Sequence, residues 1–304
     1  MQRKSTLRSS TSALIIKHRW LPGISTLACA LAFGGAVVKP THLYGLLGTA
    51  AALACACFVW GYSARAFKGI HYPVLLHLPR RKYAEVWDSL AASPSLARSA
   101  ACGPQSESAV RRSAEIPVKN LTELGGVRPE DDILEIGCGV ARIGLEIAPR
   151  CRTWTGVDMS AKMLACATER LQGTSNARLV KLHQVGLDEV GSNSFDLVYS
   201  TGVLGHLDEM DRWRYVKDGF RVLRPGGRLF IDNLDLESEE AWGAFARDSN
   251  AAQELERPPY SPRFSTAAEF TTYALRAGFI KIQAHRRTPL VIVTAIKPGS
   301  APTQ

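Results

Sequence analysis

Acidic residues are missing from the first quarter of the sequence. Residues 1–84 contain 11 Lys and Arg residues but no Asp or Glu, and the first acidic residue is Glu85. The 26 basic residues that remain are balanced by 28 acidic ones, although the chain of 304 residues has a formal net charge of +9. Because phosphate backbones are bound through clustered basic side chains, this balance argues against nucleic-acid binding by the folded part of the chain.

Paired cysteine motifs are also missing. The seven cysteines are odd in number, and none of them form a C-x-x-C pair. Zinc sites and disulfide frameworks use cysteines in regular sets, so the sequence predicts neither of them. We expect small buried thiols in a reducing compartment instead.

Two long uncharged runs lie within the acid-free region. They cover residues 21–38 and 43–62, and each is close to the roughly 20 residues that an α-helix needs to cross a bilayer. Basic residues flank the pair on both sides, whereas the short connection between the runs carries only Lys39. This pattern predicts a transmembrane helical hairpin with both ends in the cytoplasm. A cleaved signal or an organelle transit peptide is the alternative for the basic start of the chain.

The sequence divides into three parts on these criteria. Residues 1–79 form the basic N-terminus and membrane anchor, and residues 80–115 are interpreted as a linker or mobile lid. Within that segment residues 83–92 have a helical pattern, and residues 93–113 are rich in Ser, Ala, Gly and Pro. Residues 116–304 form the catalytic domain. We expect a helix at residues 116–124 to open that domain, with Pro117 in its first turn and Gly125 and Gly126 at its end.

The domain is organised around residues 133–144, which read I-L-E-I-G-C-G-V-A-R-I-G. The apolar start suits a buried strand, and Gly137 and Gly139 remove Cβ atoms where the backbone must turn sharply and approach a ligand. A helix is expected to begin near Ala141, with Gly144 allowing it to pack closely on the sheet. Such a strand, glycine turn and helix are typical of nucleotide-type cofactor sites.

An acidic residue follows the second predicted strand at a distance that suits a ribose. Asp158 stands 21 positions after Gly137, and a carboxylate there can accept hydrogen bonds from both ribose hydroxyls. Met159 could lie against an adenine ring. The structural alternatives are a carboxylate at a helix start for Asp158 and an ordinary core side chain for Met159, while Ser160 is expected to cap the next helix.

Strands and helices then alternate, which is typical of a doubly wound α/β sheet. After the fifth strand the sequence predicts a helix with Thr266 at its N-cap and Gly278 at its end, and a final pair of strands follows this helix. The predicted fold is therefore a mostly parallel seven-stranded sheet with a C-terminal β-hairpin. Its strands cover residues 133–136, 153–157, 178–182, 195–199, 228–233, 280–285 and 290–296.

Three motifs resemble those of a known family. A nicotinamide dehydrogenase would carry glycine where this chain has Arg142, so the G-x-G-x-x-G pattern fits poorly. The motifs E-I-G-C-G, F-D-L-V-Y-S and L-R-P-G-G-R-L occur in this order and resemble the class I S-adenosylmethionine-dependent methyltransferases. The resemblance covers about residues 116–297 and implies a Rossmann-like fold, with S-adenosyl-L-methionine as cofactor.

The resemblance also implies roles for single residues. Asp158 would hold the ribose, and the acid that usually follows the third strand is absent where His183 and Gln184 stand. Either side chain can accept a hydrogen bond from the adenine amino group, as can Asp188. The residues expected around the methionine part and the sulfonium are Glu135, Gly137, Cys138, Gly139, Ser200 and Thr201.

The implied chemistry is in-line displacement at a methyl carbon, for which alignment does most of the catalysis. A base is needed only if the acceptor must lose a proton. His206 follows the fourth strand, where ligands bind such sheets, and histidine has an ordinary pKa near neutrality. The alternative is that His206 starts a helix with Asp208. Asp232 and Asn233 are weaker candidates because acids often cap a following helix.

The sequence as a whole predicts a membrane-anchored methyltransferase whose domain lies on the cytosolic face, or at an organelle membrane if the N-terminus is a transit peptide. The anchor favours a hydrophobic acceptor such as a lipid, a prenylated quinone or a membrane-bound pigment precursor, and a soluble small molecule is the alternative. Two other functions remain open at this point: a membrane-tethered assembly factor without catalytic activity, and a nicotinamide-dependent oxidoreductase.

Overall fold

A computed structural model describes residues 81–103, 106–251 and 258–299. The predicted membrane hairpin, within residues 1–79, lies outside these residues. No helix in the described ranges combines the length and apolar character that a membrane span requires.

The centre of the domain is a seven-stranded sheet in the order β3-β2-β1-β4-β5-β7-β6. Strands β1 to β5 are parallel, whereas β7 runs antiparallel between β5 and β6. The predicted mostly parallel sheet with a closing hairpin is confirmed. The strands are β1 Asp132–Ile136, β2 Thr153–Asp158, β3 Ala177–Lys181, β4 Phe195–Ser200, β5 Leu223–Leu234, β6 Ile280–Arg287 and β7 Leu290–Ile296.

Helices cover both faces of the sheet, so each strand sends alternate side chains into two cores. Ile133 and Leu134 are both fully buried, but they belong to different hydrophobic clusters. This arrangement explains why the strands are apolar at consecutive positions. The helices are α1 Tyr83–Leu90, α2 Pro94–Cys102, α3 Glu107–Asn120, α4 Gly144–Ile147, α5 Ala161–Arg170, α6 Glu209–Val222, α7 Glu239–Ala251 and α8 Ala267–Ala277.

Two predicted helix caps are confirmed by their hydrogen bonds. The Ser160 hydroxyl accepts from the Met163 N–H at 3.1 Å, and the Thr266 hydroxyl accepts from the Glu269 N–H at 3.3 Å. Helix α8 ends at Gly278, which has a φ of 101°. These local signals are readable from sequence because each cap is made within one turn of the helix.

Two boundaries differ from the prediction. Helix α4 begins at Gly144 rather than near Ala141, because Ala141 has a φ of 55° and cannot start a right-handed helix. Strand β5 begins at Leu223 rather than at residue 228, where the predicted fifth strand starts. There the Gly226 N–H donates to the Lys297 carbonyl and the Lys297 N–H donates to the Gly227 carbonyl, which extends the pairing beside β7.

Where a linker or lid was predicted at residues 80–115, the structure has helix α1, which agrees with the helical pattern at residues 83–92, followed by α2 and the first part of α3. The serines that suggested a linker cap these helices: Ser93 accepts from the Leu96 N–H, and Ser106 accepts from the Ala109 N–H. Pro117 lies inside α3 rather than in a first helical turn, so that part of the prediction was wrong. A short π-helix, Leu121–Gly125, then leads to Gly126, whose φ of 67° ends the helix as expected.

Candidate active site

The site lies where the order of the parallel strands reverses, between β1 and β4. The connections that leave these two strands turn to opposite sides of the sheet, which opens a crevice at their carboxyl ends. The cavity found there encloses about 930 Å³, including its open mouth. Eight of the residues proposed from sequence line it: Glu135, Gly137, Cys138, Gly139, Asp158, Met159, Thr201 and His206.

The glycine turn after β1 is tightly constrained on one side and open on the other. Gly137 has a φ of 71°, and a Cβ added there would lie 2.5 Å from the Cγ2 atom of Val203. Gly139 has a φ of 52°, and a Cβ there would meet nothing within 4 Å. Gly137 therefore lets two loops touch, whereas Gly139 leaves backbone exposed to the cavity, where a ligand could approach it closely.

Asp158 is tied to this turn through both of its oxygens. Its Oδ2 atom accepts from the Gly139 N–H at 2.9 Å, and its Oδ1 atom accepts from the Ser160 N–H at 2.8 Å. Burial raises the pKa of Asp158, and the hydrogen bonds from backbone N–H groups oppose that rise. The carboxylate is thus held at the cavity wall with lone pairs left to accept hydrogen bonds from ribose hydroxyls.

Glu135 lies at the bottom of the cavity and is 3% exposed. The Tyr199 O–H donates to its Oε2 atom at 2.5 Å, and the Trp154 Nε1–H donates to the Tyr199 oxygen at 3.1 Å. Burial raises the pKa of Glu135 to about 8, against the opposing effects of the Tyr199 hydrogen bond and the positive charge of Arg142. A ligand ammonium group at this place would favour the ionised carboxylate.

Arg142 lines the same cavity, and it was not among the site residues proposed from sequence. Its Nη1 atom donates to the Ser113 carbonyl at 2.9 Å. That carbonyl needs a partner because Pro117, four residues later in α3, has no N–H to donate to it. A proline four positions after a helical residue is readable from sequence, but the distant partner that satisfies the freed carbonyl is not.

The residues that follow β4 take different positions. Thr201 lines the cavity, as expected. Ser200 does not, because its side chain points back into the sheet, where its hydroxyl donates to the Ile136 carbonyl at 3.4 Å. Beside Thr201, the Gly202 N–H donates to Asp232 at 2.8 Å, and burial raises the pKa of Asp232 to about 6.

His183 and Gln184 are exposed and do not line the cavity. The backbone N–H and Nδ1 of His183 both contact the Glu189 carboxylate, and the Gln184 amide donates to Asp188. At this edge the cavity is lined by Leu182 instead. The expected contact of His183 or Gln184 with an adenine amino group therefore has no counterpart in the arrangement of these side chains.

His206 also lines the cavity and lies in a 3₁₀ turn after β4. Its Nδ1 atom is 2.8 Å from the Tyr260 carbonyl oxygen, and its ring meets the Trp87 ring edge-on, with 4.9 Å between the centroids. Because a carbonyl can only accept, Nδ1 carries a proton, and in the neutral ring Nε2 carries the lone pair. The geometry thus selects the tautomer in which Nε2 can take up a proton.

Helices α1 and α2 close the cavity from above through Tyr83, Trp87, Ala100 and Ala101. Asp88 fastens α1 to the start of α5, since its Oδ1 atom accepts from the Ser160 hydroxyl at 2.6 Å and from the Lys162 N–H at 3.1 Å. The segment predicted as a linker or lid is thus a helical cover that supplies one wall of the site.

The Tyr83 hydroxyl holds α1 to helix α6. It donates to the Asp211 carboxylate at 2.7 Å and accepts from the Asp208 N–H at 3.1 Å. Because a buried hydroxyl with both a donor and an acceptor partner is well satisfied, this contact fixes the cover over the fourth-strand side of the cavity.

Comparison with known proteins agrees with this geometry. Residues 134–231 match the family model described as a methyltransferase domain. This segment is an S-adenosylmethionine-dependent methyltransferase domain. Its cofactor is S-adenosyl-L-methionine, and the open backbone at Gly139, the acceptor Asp158 and the buried Glu135 fit the polar groups of that molecule.

Related proteins share this core but differ in length. The chain is 27% identical over 116 residues to phosphoethanolamine N-methyltransferase 1 of Arabidopsis thaliana, covering 38% of this chain and 23% of that protein. It is 30% identical over 108 residues to the ubiquinone/menaquinone biosynthesis C-methyltransferase UbiE of Geotalea daltonii, covering 34% and 45%. The matched region thus spans less than half the length of each relative.

A solved structure shares the fold of the methyltransferase domain. The O-methyltransferase family protein of Burkholderia thailandensis has a TM-score of 0.56 at 13% identity, covering 70% of this chain and 63% of that one. At this identity the likeness concerns the arrangement of the sheet and its helices, which agrees with the strand order described above.

Proposed function

We propose that this protein is a membrane-anchored methyltransferase that moves a methyl group from S-adenosyl-L-methionine to a small hydrophobic acceptor. The observation that carries the proposal is one cavity that joins the glycine turn, Asp158 and Glu135 to an apolar, aromatic cover. The polar half suits the cofactor, and the covered half suits an acceptor held against it.

Each residue of the polar half contacts a different part of the cofactor. Glu135 holds the amino group, Gly139 offers backbone to the amino-acid part, and Asp158 accepts hydrogen bonds from the ribose. When bound, the cofactor supplies a methyl group on a positively charged sulfur. The main contribution of the protein is alignment, because a well-oriented intramolecular reaction can gain many orders of magnitude in rate.

The covered half favours an apolar acceptor. Trp87, Val203 and Leu207 line it, and Tyr83 presents its ring while its hydroxyl is engaged by Asp211 and Asp208. Among the relatives, one name refers to a phosphorylated amine and another to quinone biosynthesis. Since an acceptor phosphate would require cationic donors on this wall, the lining agrees better with an acceptor of the lipid, quinone or pigment-precursor type.

His206 is the base that we propose for an acceptor that must lose a proton. The hydrogen bond to the Tyr260 carbonyl keeps the proton on Nδ1, so Nε2 receives the proton from the acceptor. The contact with Trp87 holds the ring in place beside the covered half of the cavity. An acceptor carbon or nitrogen that needs no deprotonation would make His206 a positioning residue instead.

The membrane part of the proposal rests on the uncharged runs at residues 21–38 and 43–62 and on the basic residues around them. Two spans leave the methyltransferase domain on the cytosolic face, or on the corresponding face of an organelle membrane after import. Topology reporters fused at Lys39 and at the C-terminus test this. Opposite sides are expected, and finding both reporters on one side would overturn the hairpin.

Methyl transfer is tested by supplying labelled cofactor and fractionated membrane extracts to the purified full chain. We expect labelled product in the lipid-soluble fraction with the wild type and a loss of at least about tenfold with Asp158→Ala, because a charge-assisted contact to the ribose disappears. Asp248→Ala, which removes an exposed carboxylate outside the cavity, is the matched control. Cofactor binding without product from any fraction would instead favour a non-catalytic tethering role.

A further inference from the structure

We infer that Arg212 is a positioning residue for His206: its guanidinium joins the turn that carries His206 to the segment that carries Tyr260, and so keeps the proton of the His206 ring on Nδ1. The inference rests on the proposed function, in which His206 is the base, because it names the side chain that holds this base in its working form. Arg212 is not one of the described residues that line the cavity, so it acts through His206 rather than on a ligand.

The first step is the burial of the guanidinium. Arg212 lies near the start of α6 and is 3% exposed. Its Nη1 atom donates to the Glu269 carboxylate at 2.9 Å and to the Ser265 hydroxyl at 2.7 Å. Because taking an ion pair out of water offsets most of its attraction, a buried pair of this kind adds little stability. The other donors of the group are therefore better explained by the atoms that they hold in place.

The second step is the turn that carries His206. The Arg212 Nε–H is shared between two carbonyl oxygens, that of Leu204 at 2.8 Å and that of Leu207 at 3.1 Å. Leu204 begins the 3₁₀ turn and Leu207 follows it, so the two carbonyls stand on either side of His206 in the chain. The backbone of His206 is thus held from the side of α6.

The third step is the segment that supplies the partner of the ring. The Arg212 Nη2 atom donates to the Arg263 carbonyl at 3.3 Å, and the Arg263 N–H donates to the Gly205 carbonyl at 2.5 Å. Tyr260, whose carbonyl oxygen lies 2.8 Å from His206 Nδ1, stands three residues before Arg263. One guanidinium therefore bonds both the turn with the ring and the segment with its acceptor.

Asn233 supports the same segment from the sheet. Its amide donates to the Arg263 carbonyl at 2.9 Å and to the Ser265 hydroxyl at 2.6 Å. The sequence made Asn233 a weaker candidate for the base, whereas these bonds give it a positional role. Asn233 ties the segment to β5, and Arg212 ties it to the turn that carries His206.

The fixed proton on Nδ1 depends on this junction. A neutral imidazole can carry its proton on either nitrogen, and the partner of the other atom decides which form is present. If the Tyr260 carbonyl moves away from Nδ1, the ring loses the acceptor that selects the form with a free lone pair on Nε2. Loss of Arg212 should therefore change the tautomer of His206.

The test compares Arg212→Lys with Glu269→Gln in the full chain. Lysine keeps the buried charge but lacks the planar fork that reaches both segments. Glu269→Gln removes the counter-charge, yet its amide oxygen can still accept from Nη1, so the bonds to the His206 turn remain. Spectra of chain labelled with ¹⁵N in the histidine rings, recorded near pH 8 where an ordinary ring is neutral, report the tautomer, and His206→Asn identifies the His206 signals.

We expect the His206 proton on Nδ1 in the wild type and in Glu269→Gln. In Arg212→Lys the share on Nδ1 should fall to roughly half, because the released ring can carry the proton on either nitrogen. Transfer from labelled S-adenosyl-L-methionine to membrane extracts should decrease by about 10- to 100-fold in Arg212→Lys, the usual effect of a misplaced base, with calorimetric affinity for the cofactor unchanged.

An unchanged tautomer or undiminished product in Arg212→Lys would overturn the inference, and so would an equal loss in Glu269→Gln, which would show a general effect on stability. The wild type alone is decisive if Arg212→Lys does not fold, since a proton on Nε2 there would also overturn it. A wild type that binds no cofactor would overturn the proposed function, whereas the comparison of tautomers would still test the role of Arg212.

Discussion

Glu135 gives a sharp test of the site because it is a carboxyl group buried beneath the proposed cofactor. It is 3% exposed, and its hydrogen-bond donor is the buried Tyr199 hydroxyl. Glu135→Gln keeps the shape of the side chain and an oxygen that can still accept from Tyr199, but it removes the ionisable group. The variant therefore isolates the cost of the charge.

The magnitude follows from the shift in pKa. Burial raises the pKa of Glu135 from 4.5 to about 8. Below pH of about 4.5 the group is protonated in both the folded and the unfolded chain. Between that pH and about 8 the unfolded chain loses the proton and the folded chain keeps it, so the free energy of unfolding decreases as the pH rises. At about 1.4 kcal/mol for each pKa unit, the decrease approaches roughly 5 kcal/mol.

Equilibrium urea unfolding of the cofactor-free wild type and Glu135→Gln, from about pH 5 to about pH 9, measures this difference. We expect the wild type to lose several kcal/mol relative to the variant over this range, with most of the loss complete near pH 8. Asp158 and Asp232 also have raised pKa values, but both proteins keep them, so their contribution largely cancels. Parallel curves would refute the reasoning, since they would mean that Glu135 carries its charge at no cost.

Cofactor binding should reverse the effect in the wild type. The ammonium group of the cofactor favours the ionised carboxylate, so binding near pH 7 should release close to one proton, and the affinity should increase with pH up to about 8. Calorimetry in buffers with different ionisation enthalpies measures the proton directly. In Glu135→Gln the release should be absent.

Two further substitutions test the packing that holds the site. Gly144→Ala would place a Cβ 2.1 Å from the buried Trp154 ring, and overpacking of this kind typically destabilises a protein by about 1–3 kcal/mol. Gly243→Ala, on an open helix face, is the control and should stabilise the protein by about 0.5–1 kcal/mol. Thermal unfolding compares the two variants. Asp88→Ala removes both bonds that fasten α1 to α5, so amide protons of α1 should exchange faster; unchanged protection would show that Asp88 does not hold the cover.

The parts of the site that could be predicted from sequence are those fixed by short-range backbone rules. The positive φ of Gly137 and Gly139 follows from the abrupt stop of an apolar strand, and Asp158 follows from the length of one strand-helix-strand unit. Both elements depend on local geometry, so a single sequence determines them without knowledge of the neighbouring chain.

The direction of individual side chains was harder to predict from the sequence. Ser200 is the last residue of β4 and Thr201 is the first residue after it. The Ser200 hydroxyl donates to the Ile136 carbonyl within the sheet, whereas Thr201 lines the cavity. The position in the sequence does not predict which of the two side chains faces the cavity, because both are small and polar. His183 and Gln184 were placed by the same positional argument, and carboxylates in their own loop hold them instead.

Arg142 could not be predicted for a different reason: its orientation depends on a pairing across the domain. Pro117 frees a carbonyl in α3, and the guanidinium that satisfies it comes from the loop after β1, 29 residues beyond Ser113. In the sequence these two features look unrelated: one is a proline inside a helix, and the other is an arginine at a position where a dehydrogenase has glycine. Only the packing of α3 beside the glycine turn joins the two.

The electrostatics of the cavity also bear on which ligand it holds. Glu135, Asp158 and Asp232 are three carboxyl groups whose pKa values burial raises, and Arg142 supplies one fixed positive charge. A ligand with a net positive charge restores the ionised state of such groups, whereas a neutral one does not. The sulfonium form of the cofactor has one more positive charge than the thioether left after transfer. The same carboxyl groups that make the empty site costly to ionise therefore favour the methyl donor over its product, and they do so more strongly as the pH rises.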